Sequence, residues 1–407
     1  MELIHVTIAA ELHIAGYVAP GFERVRAEFE RNLVERDELG AAFSVHLGDQ
    51  PLVDLWGGVA DAGTAARWER DTLQTIFSGS KGITVTALLR LVDRGDLDLD
   101  RPVAFYWPEF AAAGKSRITV REVVTFTGRL PGLWAPVSQH QANDPVEMAR
   151  LIAAQEPESD DRAQGILYGP FTAGWIMGEL VRRVDGRPLD RFFQAELARP
   201  LDLDIHFGTG PELWPRLART SYGTNFLAQF TGFFHSGDPL TQRIWQNPQP
   251  FPDDEGVWAT PERRAALIPA INVSGTARAF AKLYGILAAD AVRSPDEPPL
   301  LLSRRTLDDA RRVHARKTDQ LIDVVMAYGG GGYRLRTAER PGPDGETFGH
   351  DGGGGSANQA WPRVGLGVSY VMNRLIALGP DDKRAGSLLK ALAADVADLG
   401  LPTAPRS

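Results

Sequence analysis

Cysteine is absent from the 407 residues of the chain. Its absence excludes disulfide bonds, thiolate catalysis and zinc sites that use cysteine ligands. Basic charge is also scarce, because 52 acidic residues outnumber 44 lysines and arginines and leave a formal net charge of −8. A chain with this charge has no basic field that would attract phosphates. Nucleic acids and anionic membrane surfaces are therefore not expected as partners.

Long apolar runs are missing as well. No uncharged apolar segment reaches the roughly 18 to 20 residues that a membrane-spanning helix requires. Residues 1–16 contain no lysine or arginine and include Glu2 and Glu11, which is not the pattern of a signal peptide. We therefore expect a cytoplasmic protein that has no membrane partner.

Signatures of metals and cofactors are not found in the sequence. The HExxH, P-loop and G-x-G-x-x-G patterns do not occur, and neither does the G-x-S-x-G pattern of α/β-hydrolases. The histidines His46, His140, His206 and His235 show no metal-ligand spacing. The sequence therefore predicts neither a metal nor a cofactor.

The chain does contain enough apolar sequence, at 43% hydrophobic residues, for a large core. Helical spacing of apolar residues from Phe22 to Leu33 predicts an amphipathic helix. The apolar runs 41–47 and 52–56 predict a β-hairpin because the short segment between them contains Gly48, Asp49 and Gln50. The chain thus opens as helix, strand, strand.

The middle of the sequence is mostly helical in pattern. Residues 82–92 and 171–184 show helical periodicity, and Thr119 and Glu122 are spaced as a capping box at the start of another helix. Strand patterns return toward the C-terminus at 333–335, 347–349 and 364–373, and a last helix is expected over 385–399. Strands near both ends with helices between them predict one sheet with a helical region inserted into it.

This pattern predicts two domains. A sheet domain is expected from residues 1–75 and 290–407, and a mostly helical domain from residues 76–289. Within the helical domain, 221–260 is rich in proline, glycine and aromatic residues and is expected to be a long loop. Its aromatic side chains either wall an apolar cleft or attach the loop to the core.

The most informative segment is Phe77-Ser78-Gly79-Ser80-Lys81-Gly82, which precedes an apolar helical pattern. If a helix begins near Ser78, then Ser78 and Lys81 lie on the same face of its first turn. A serine hydroxyl becomes a good nucleophile when a nearby base accepts its proton, and a buried lysine has a lowered pKa that suits this role. The tetrapeptide alone is weak evidence, since a helix cap has the same composition.

Two later segments make the pattern more specific. Ser78-x-x-Lys81, then Tyr168, then Phe348-Gly349-His350-Asp351-Gly352-Gly353 resemble the three ordered motifs of class C β-lactamases, penicillin-binding proteins and family VIII carboxylesterases. The likeness extends over nearly the whole chain and is greater to the carboxylesterases. It implies an α+β fold of the β-lactamase and transpeptidase type. In that fold helices flank an antiparallel sheet, and the active site lies between the sheet and the helical domain.

The resemblance also implies roles for individual residues. Ser78 is expected to be the nucleophile, and Lys81 and Tyr168 are expected to move its proton, with the cation beside the phenol favouring phenolate. The amides of Ser78 and Gly353 would form the oxyanion hole. His350 and Gly352 would contact substrate, together with Trp134, Phe233 and Trp258 as aromatic walls.

Two segments depart from the family pattern. Residues 124–133 resemble a stretch that usually carries His-x-x-Gly-Leu, but Phe126 and Arg129 replace the histidine and the glycine. Tyr168 is followed by Gly169 and Pro170, so the asparagine that many β-lactamases carry two residues after the tyrosine is missing. We therefore expect lactam hydrolysis to be a weaker activity.

The expected function is hydrolysis of a small-molecule ester through an acyl-Ser78 intermediate. Acyl transfer to an alcohol or amine is the first alternative, and hydrolysis of amides, D-amino-acid peptides or β-lactams is the second. A binding module that keeps the fold without turnover is a third reading, which the substitutions at Phe126 and Arg129 favour slightly. The sequence sets no expectation of oligomeric state.

Overall fold

A computed structural model describes residues 13–223, 225–337, 346–377, 379 and 382–400. Residues 1–12, on which the expectation of no signal peptide depends, lie outside the described part. The strands of the described residues are β1 (Ile14–Val18), β2 (Gly40–Leu47), β3 (Gln50–Asp61), β4 (Ala66–Arg67), β5 (Gln74–Thr75), β6 (Ile205–Phe207), β7 (Ser221–Tyr222), β8 (Val273–Gly275), β9 (Val313–Asp319), β10 (Val324–Gly329), β11 (Arg334–Leu335), β12 (Phe348–Gly349), β13 (Ala357–Trp361), β14 (Leu366–Met372) and β15 (Arg374–Leu375).

Helices occupy most of the remaining described chain. They are α1 (Glu23–Glu35), α2 (Ser80–Asp93), α3 (Val103–Tyr106), α4 (Val120–Val124), α5 (Pro145–Ala154), α6 (Thr172–Asp185), α7 (Leu189–Phe193), α8 (Thr231–Phe234), α9 (Pro239–Trp245), α10 (Pro261–Ala265), α11 (Ala277–Asp290), α12 (Arg304–Arg311) and α13 (Arg384–Asp398). In the described residues, none of these helices is long and apolar enough to cross a membrane.

The main sheet joins strands from both ends of the chain. Its order is β1-β3-β2-β14-β13-β12-β11-β10-β9, with β4 paired to β3, and neighbouring strands are antiparallel. The two ends meet where β2 pairs with β14, in register from Leu47 opposite Leu366 to Ala41 opposite Met372. The predicted α+β fold of the β-lactamase and transpeptidase type is thereby confirmed.

Helices cover the centre of this sheet. Seven of the eight residues of β2 are buried, as expected of a strand with both faces covered. Helix α11 packs across β2, β13 and β14, so closely that a Cβ on Gly367 would lie 2.0 Å from the Gly285 nitrogen. Helix α11 therefore covers the sheet, although its residues fall within the range 76–289 predicted for the helical domain.

Helix α2 is the central element of the helical region. Most of its residues are buried, from Ser80 through Leu91, and it packs against α6. A helix that is apolar on all sides is held in place by its surroundings. The capping box predicted at the start of α4 is present, since the Thr119 hydroxyl accepts the Glu122 amide and the Glu122 carboxylate accepts the Thr119 amide.

The aromatic segment 221–260 differs from the loop that its composition predicts. It contains α8 and α9 and two 3-10 turns, and Asp238 caps α9 by accepting the Thr241 amide at 2.9 Å. Its first residues form β7, which pairs with β15 from the C-terminal part of the chain. The segment is therefore a folded subdomain joined to the sheet layer at one end.

Candidate active site

Ser78 lies on a 3-10 turn, Phe77–Gly79, that continues directly into α2. The turn begins at Phe77, which is buried and has a φ of +46°, an uncommon backbone conformation for a bulky residue. Just before it, the Ile76 amide donates to the Val273 carbonyl at 3.0 Å. The sharp turn thus presents Ser78 at the start of a rigid, buried helix.

Lys81 is buried next to Ser78, with 2% of its surface exposed. Its Nζ lies 3.2 Å from Ser78 Oγ, 2.8 Å from the Pro170 carbonyl oxygen and 3.2 Å from the Ala270 carbonyl oxygen. Burial is the main reason that the pKa of Lys81 lies well below its usual 10.5, and the charge of Arg334 acts in the same direction. The environment therefore favours the neutral amine.

The neighbours of the Lys81 amine decide where its lone pair points. A neutral amine has two N–H bonds and one lone pair, and a carbonyl oxygen is only able to accept. In the neutral form, the carbonyls of Pro170 and Ala270 would accept the two N–H bonds, and the lone pair would be left for the Ser78 hydroxyl, whose oxygen lies 3.2 Å away. This arrangement is suited to transfer of the Ser78 proton to Lys81.

Tyr168 completes this group from the other side. Its hydroxyl lies 2.7 Å from Ser78 Oγ, and the Lys81 Nζ lies 4.9 Å from the centre of its ring. Burial raises the pKa of Tyr168 to about 12, although the Ser78 hydrogen bond and the charge of Arg334 act against this rise. Tyr168 was expected from the sequence to be a phenolate, and this expectation is wrong. Burial disfavours both charged forms, the ammonium of Lys81 and the phenolate of Tyr168. Tyr168 is a neutral phenol with a proton to give.

The two departures from the family pattern have different surroundings. The Phe126 ring packs on the Tyr168 ring with centroids 5.1 Å apart, and the Phe126 carbonyl accepts the Leu167 amide at 3.1 Å. Arg129 donates from Nε to the Glu158 carbonyl at 2.6 Å. Phe126 thus packs on the tyrosine, whereas Arg129 binds the backbone at Glu158.

The glycine-rich third motif follows β12 and lies against the turn that precedes Ser78. A Cβ on Gly352 would lie 2.2 Å from the Ile76 carbonyl oxygen, so only glycine fits there. His350 is buried, its amide donates to the Asn358 carbonyl at 3.1 Å, and its ring centre lies 6.4 Å from that of Tyr168. The structure thus brings His350 and Gly352 to the site, as predicted.

A buried arginine holds the far side of the same motif. Arg384 donates from Nη2 to the Gly354 carbonyl at 2.9 Å and from Nη1 to Glu38 at 3.2 Å. Arg384 is 1% exposed, and Glu38 in turn accepts the Tyr370 hydroxyl. The loop after His350 is therefore fixed from the inside of the sheet layer.

Gly353 faces the aromatic segment and has the open amide that an oxyanion hole requires. Within the described residues, the Gly352 and Gly355 amides donate to backbone carbonyls of the same loop, whereas the Gly353 amide makes no backbone hydrogen bond. Backbone amides that point at the carbonyl oxygen of a substrate stabilise the negative charge of the tetrahedral intermediate. The pairing of Gly353 with Ser78 in this role remains a prediction.

The predicted aromatic walls lie at different distances from the nucleophile. Trp258 packs edge-on against Phe77 with ring centres 4.9 Å apart. Phe233 stacks on Trp245, and Trp134 is 44% exposed beneath the guanidinium of Arg243. Only Trp258 of the three therefore packs on the residue that precedes Ser78.

Sequence reasoning missed several residues of the site. Phe251 packs on Phe77 at 5.5 Å, and Asp319 accepts the Tyr168 amide at 2.6 Å. The carbonyls of Pro170 and Ala270 that orient Lys81 carry no sequence signal, since every residue has one. Phe251 was one of many aromatic residues in its segment, and nothing in the sequence distinguished it from the others.

No group of three or more histidine and carboxylate side chains that would hold a metal ion occurs in the described ranges. What the fold and the site define is a class of enzyme: a serine hydrolase of the β-lactamase and penicillin-binding type. Residues 25–393 match the sequence profile of the beta-lactamase family, and the chain belongs to that family. The predicted membership of the β-lactamase-like superfamily is thus confirmed.

Relatives within this family include named esterases. The chain is 33% identical over 388 residues to the esterase/beta-lactamase LipL of Mycobacterium tuberculosis, which covers 89% of this chain and 84% of LipL. It is 27% identical over 311 residues to the esterase EstB of Burkholderia gladioli, covering 72% and 74% of the two chains. A solved family VIII carboxylesterase superposes with a TM-score of 0.83 at 30% identity, covering 94% of this chain and all of the other.

Proposed function

We propose that the protein hydrolyses carboxylic esters through an acyl intermediate on Ser78. The observation that carries the proposal is the position of the Lys81 amine, which is buried, contacts two backbone carbonyls and lies 3.2 Å from Ser78 Oγ. A base held in this way activates a serine without a histidine. The esterase names of LipL and EstB support the same substrate class.

The proposed reaction begins when Ser78 Oγ attacks the ester carbonyl carbon and its proton passes to Lys81. The oxyanion is bound by the amides of Ser78 and Gly353. Tyr168 then gives its proton to the leaving alkoxide and regains one from Lys81, so that the alcohol departs and both groups are neutral again. Water repeats the sequence on the acyl-enzyme and releases the carboxylic acid.

The residue after the tyrosine motif favours esters over β-lactams. Where many β-lactamases carry an asparagine side chain, this chain has Pro170, and the carbonyl of Pro170 is bound to Lys81. Proline has no side-chain donor for the amide groups of a lactam antibiotic. We therefore infer that esters are the better substrates, with lactam turnover weak.

Covalent labelling tests the nucleophile. The wild-type enzyme should hydrolyse a short-chain p-nitrophenyl ester and gain one fluorophosphonate adduct by intact mass, and Ser78→Ala should lose both. Ser80→Ala is the matched control, because Ser80 is buried two residues further on and its hydroxyl accepts the Val273 amide. Labelling of Ser78→Ala at the wild-type rate would refute the assignment, and an unlabelled, inactive wild-type protein would favour the binding-module reading.

Acyl transfer is a second candidate because aromatic rings lie next to the nucleophile. Phe251 and Trp258 both pack on Phe77, and an apolar wall there would favour an organic alcohol over water as acceptor. Hydrolysis in the presence of added butanol distinguishes the two, with the butyl ester as the transfer product. Free acid as the sole product at every butanol concentration would rule out transfer.

A further inference from the structure

Asp319 is a buried carboxylate at the end of β9, the edge strand of the sheet. It is fully buried and binds three backbone amides. One oxygen, Oδ1, accepts the Leu321 amide at 2.9 Å and the Ile322 amide at 3.2 Å, which closes the turn between β9 and β10. The other oxygen, Oδ2, accepts the amide of Tyr168 at 2.6 Å. One side chain thus joins a hairpin turn to the residue that carries the phenol.

Strand β9 contacts the same segment at a second point. Lys317 donates from Nζ to the Gln164 carbonyl at 2.6 Å. A Cβ on Gly165 would lie 2.6 Å from the Lys317 side chain, and Gly165 has a φ of +106°, so glycine is required there. The segment 164–168 is therefore held along β9. Lys317 makes the contact at Gln164, and Asp319 makes the contact at Tyr168.

We propose that Asp319 is a positioning residue that fixes Tyr168 against Ser78 by binding the Tyr168 backbone amide. This inference rests on the proposed function, in which Tyr168 moves protons at Ser78. The phenol oxygen lies 2.7 Å from Ser78 Oγ, and proton transfer depends steeply on such a distance. Asp319 touches neither the nucleophile nor a substrate in this proposal, and it acts through the tyrosine alone.

Asparagine at this position breaks the Tyr168 contact selectively. Asp319 offers two acceptor oxygens to three amides, whereas asparagine offers one oxygen and one NH₂ group. If the asparagine oxygen accepts the Leu321 and Ile322 amides, the asparagine NH₂ group faces the Tyr168 amide. That one amide then loses its acceptor. The opposite orientation leaves two amides unsatisfied and costs more. Asp319→Asn therefore keeps the hairpin turn and releases Tyr168.

Asp290 provides a matched control elsewhere in the fold. It is 1% exposed and divides its oxygens in the same way, with Oδ2 accepting the Leu301 and Leu302 amides and Oδ1 accepting the Leu300 amide. Asp290 differs in lying at the end of α11 and in having Arg293 at 3.5 Å from Oδ1. Asp290→Asn should therefore lose a comparable amount of stability at a site far from the nucleophile in the chain.

Steady-state kinetics on the full-length proteins tests the proposal. Asp319→Asn should lower kcat by about 10- to 100-fold and leave KM within about twofold, because misplacement of a reacting group slows chemistry more than binding. Asp290→Asn should keep kcat within about twofold while its melting temperature falls similarly. An unchanged kcat in Asp319→Asn, or an equal loss in Asp290→Asn, would overturn the proposal.

Hydrogen exchange on the wild-type enzyme gives a second measurement if Asp319→Asn fails to fold. The Tyr168 amide should exchange slowly because it is bound to a buried carboxylate, and rapid exchange would contradict the proposal. The positioning role of Asp319 and the proposed function are refuted by different results. An active, Ser78-labelled enzyme whose Asp319→Asn variant is normal refutes the positioning role alone, whereas an inactive wild-type protein refutes the proposed function.

Discussion

Two lysines of this chain are buried among backbone carbonyls, and the difference between them explains why Lys81 is suited to the proposed role of base. Lys115 is fully buried, and its Nζ donates to three carbonyls, those of Ala112, Ala153 and Gln155. Three acceptors require three N–H bonds, which only the ammonium form has. Lys81 meets two carbonyls and one hydroxyl, so its neighbours are satisfied by the neutral amine. Burial lowers the pKa of Lys115 as well, but its three carbonyl partners need the ammonium form, whereas the partners of Lys81 do not.

This contrast predicts opposite outcomes for the same substitution. Lys81→Met should lower kcat by about 10²- to 10⁴-fold, the usual contribution of a positioned base. Lys115→Met should leave kcat of the folded enzyme close to wild type and lower the free energy of unfolding, since three buried carbonyls lose their donor. Ester kinetics and denaturant unfolding on both variants check this. Equal loss of kcat in the two variants would show that Lys81 has no special role.

Residue-level prediction from sequence identified candidate residues that have a characteristic order and spacing, and it missed properties that depend on burial. Ser78, Lys81 and Tyr168 were found from their order, and the structure brings them within hydrogen-bond distance. The phenolate expectation was wrong because it counted the neighbouring charge without the cost of burying both ions. The contact between Lys81 and the Pro170 carbonyl could not be predicted for a different reason. It depends on the fold, which brings residues 81 and 170 together.

At the scale of elements, the glycine-rich loop after β12 and the aromatic subdomain 221–260 fit against each other. A Cβ on Gly353 would lie 2.5 Å from Cζ of Phe251, and Phe251 itself packs on Phe77 with ring centres 5.5 Å apart. The loop, the ring and the nucleophile turn therefore form one packed contact. A substitution in any of the three should therefore move the amides of the proposed oxyanion hole.

Gly353→Ala should therefore lower kcat by about 10- to 100-fold, because the added methyl group collides with the Phe251 ring and moves the proposed oxyanion donor. Phe251→Ala removes the obstacle, so the double variant should recover part of the loss. A double-mutant cycle on kcat/KM measures this coupling. Gly386→Ala, where a Cβ meets nothing within 4 Å, should be neutral. Strictly additive effects of the two substitutions would argue against the packing explanation.

Some elements were predictable from sequence and others were not. The first helix and hairpin were found because α1, β2 and β3 have regular apolar spacing. Strand β9 was missed because five of its seven residues are exposed, so it has no apolar alternation to detect. Strand β13 was missed for the opposite reason, since all five of its residues are buried and include polar ones such as Asn358 and Gln359. In both cases the segment forms a strand because neighbouring strands pair with it, and its local sequence pattern does not predict this.

For the whole molecule, the main consequence of the topology is that strands from the two ends of the chain pair directly with each other. His46 lies at this junction, on β2 opposite Gly367 of β14, and is 2% exposed. Its Cβ lies under α11, 3.2 Å from where a Cβ on Gly285 would be. Burial lowers the pKa of His46 from 6.5 to about 4. Protonation of His46 therefore opposes folding of the joined sheet.

This pKa shift predicts how stability responds to acid. The unfolded chain binds the His46 proton more readily than the folded one, so the free energy of unfolding should fall as pH decreases from 6.5 to about 4. The loss from this residue is about 3 kcal/mol by the usual conversion. Urea unfolding at a series of pH values should show a smaller loss in His46→Gln. The exposed His140, changed to glutamine, is the control and should leave the slope unaltered.

The overall architecture was predictable because it depends on coarse features of the sequence. Strand patterns at both ends with helices between them were sufficient for an α+β fold with one joined sheet. The boundary near residue 289 was less predictable, since α11 has the same apolar periodicity whether it packs on a sheet or on other helices. The close contact between Gly285 of α11 and Gly367 of β14 shows that this helix covers the sheet.

The edge strand β9 has a consequence for how these molecules behave at high concentration. An open sheet edge invites pairing with the edge of another molecule, and charged side chains along the edge oppose it. Strand β9 carries His314, Arg316 and Lys317 and is largely exposed. Because the same strand ends at Asp319, any molecule that added a strand to this edge would act on the element that holds Tyr168. The charges that would oppose pairing at this edge and the carboxylate proposed to position Tyr168 thus lie on one short stretch of chain.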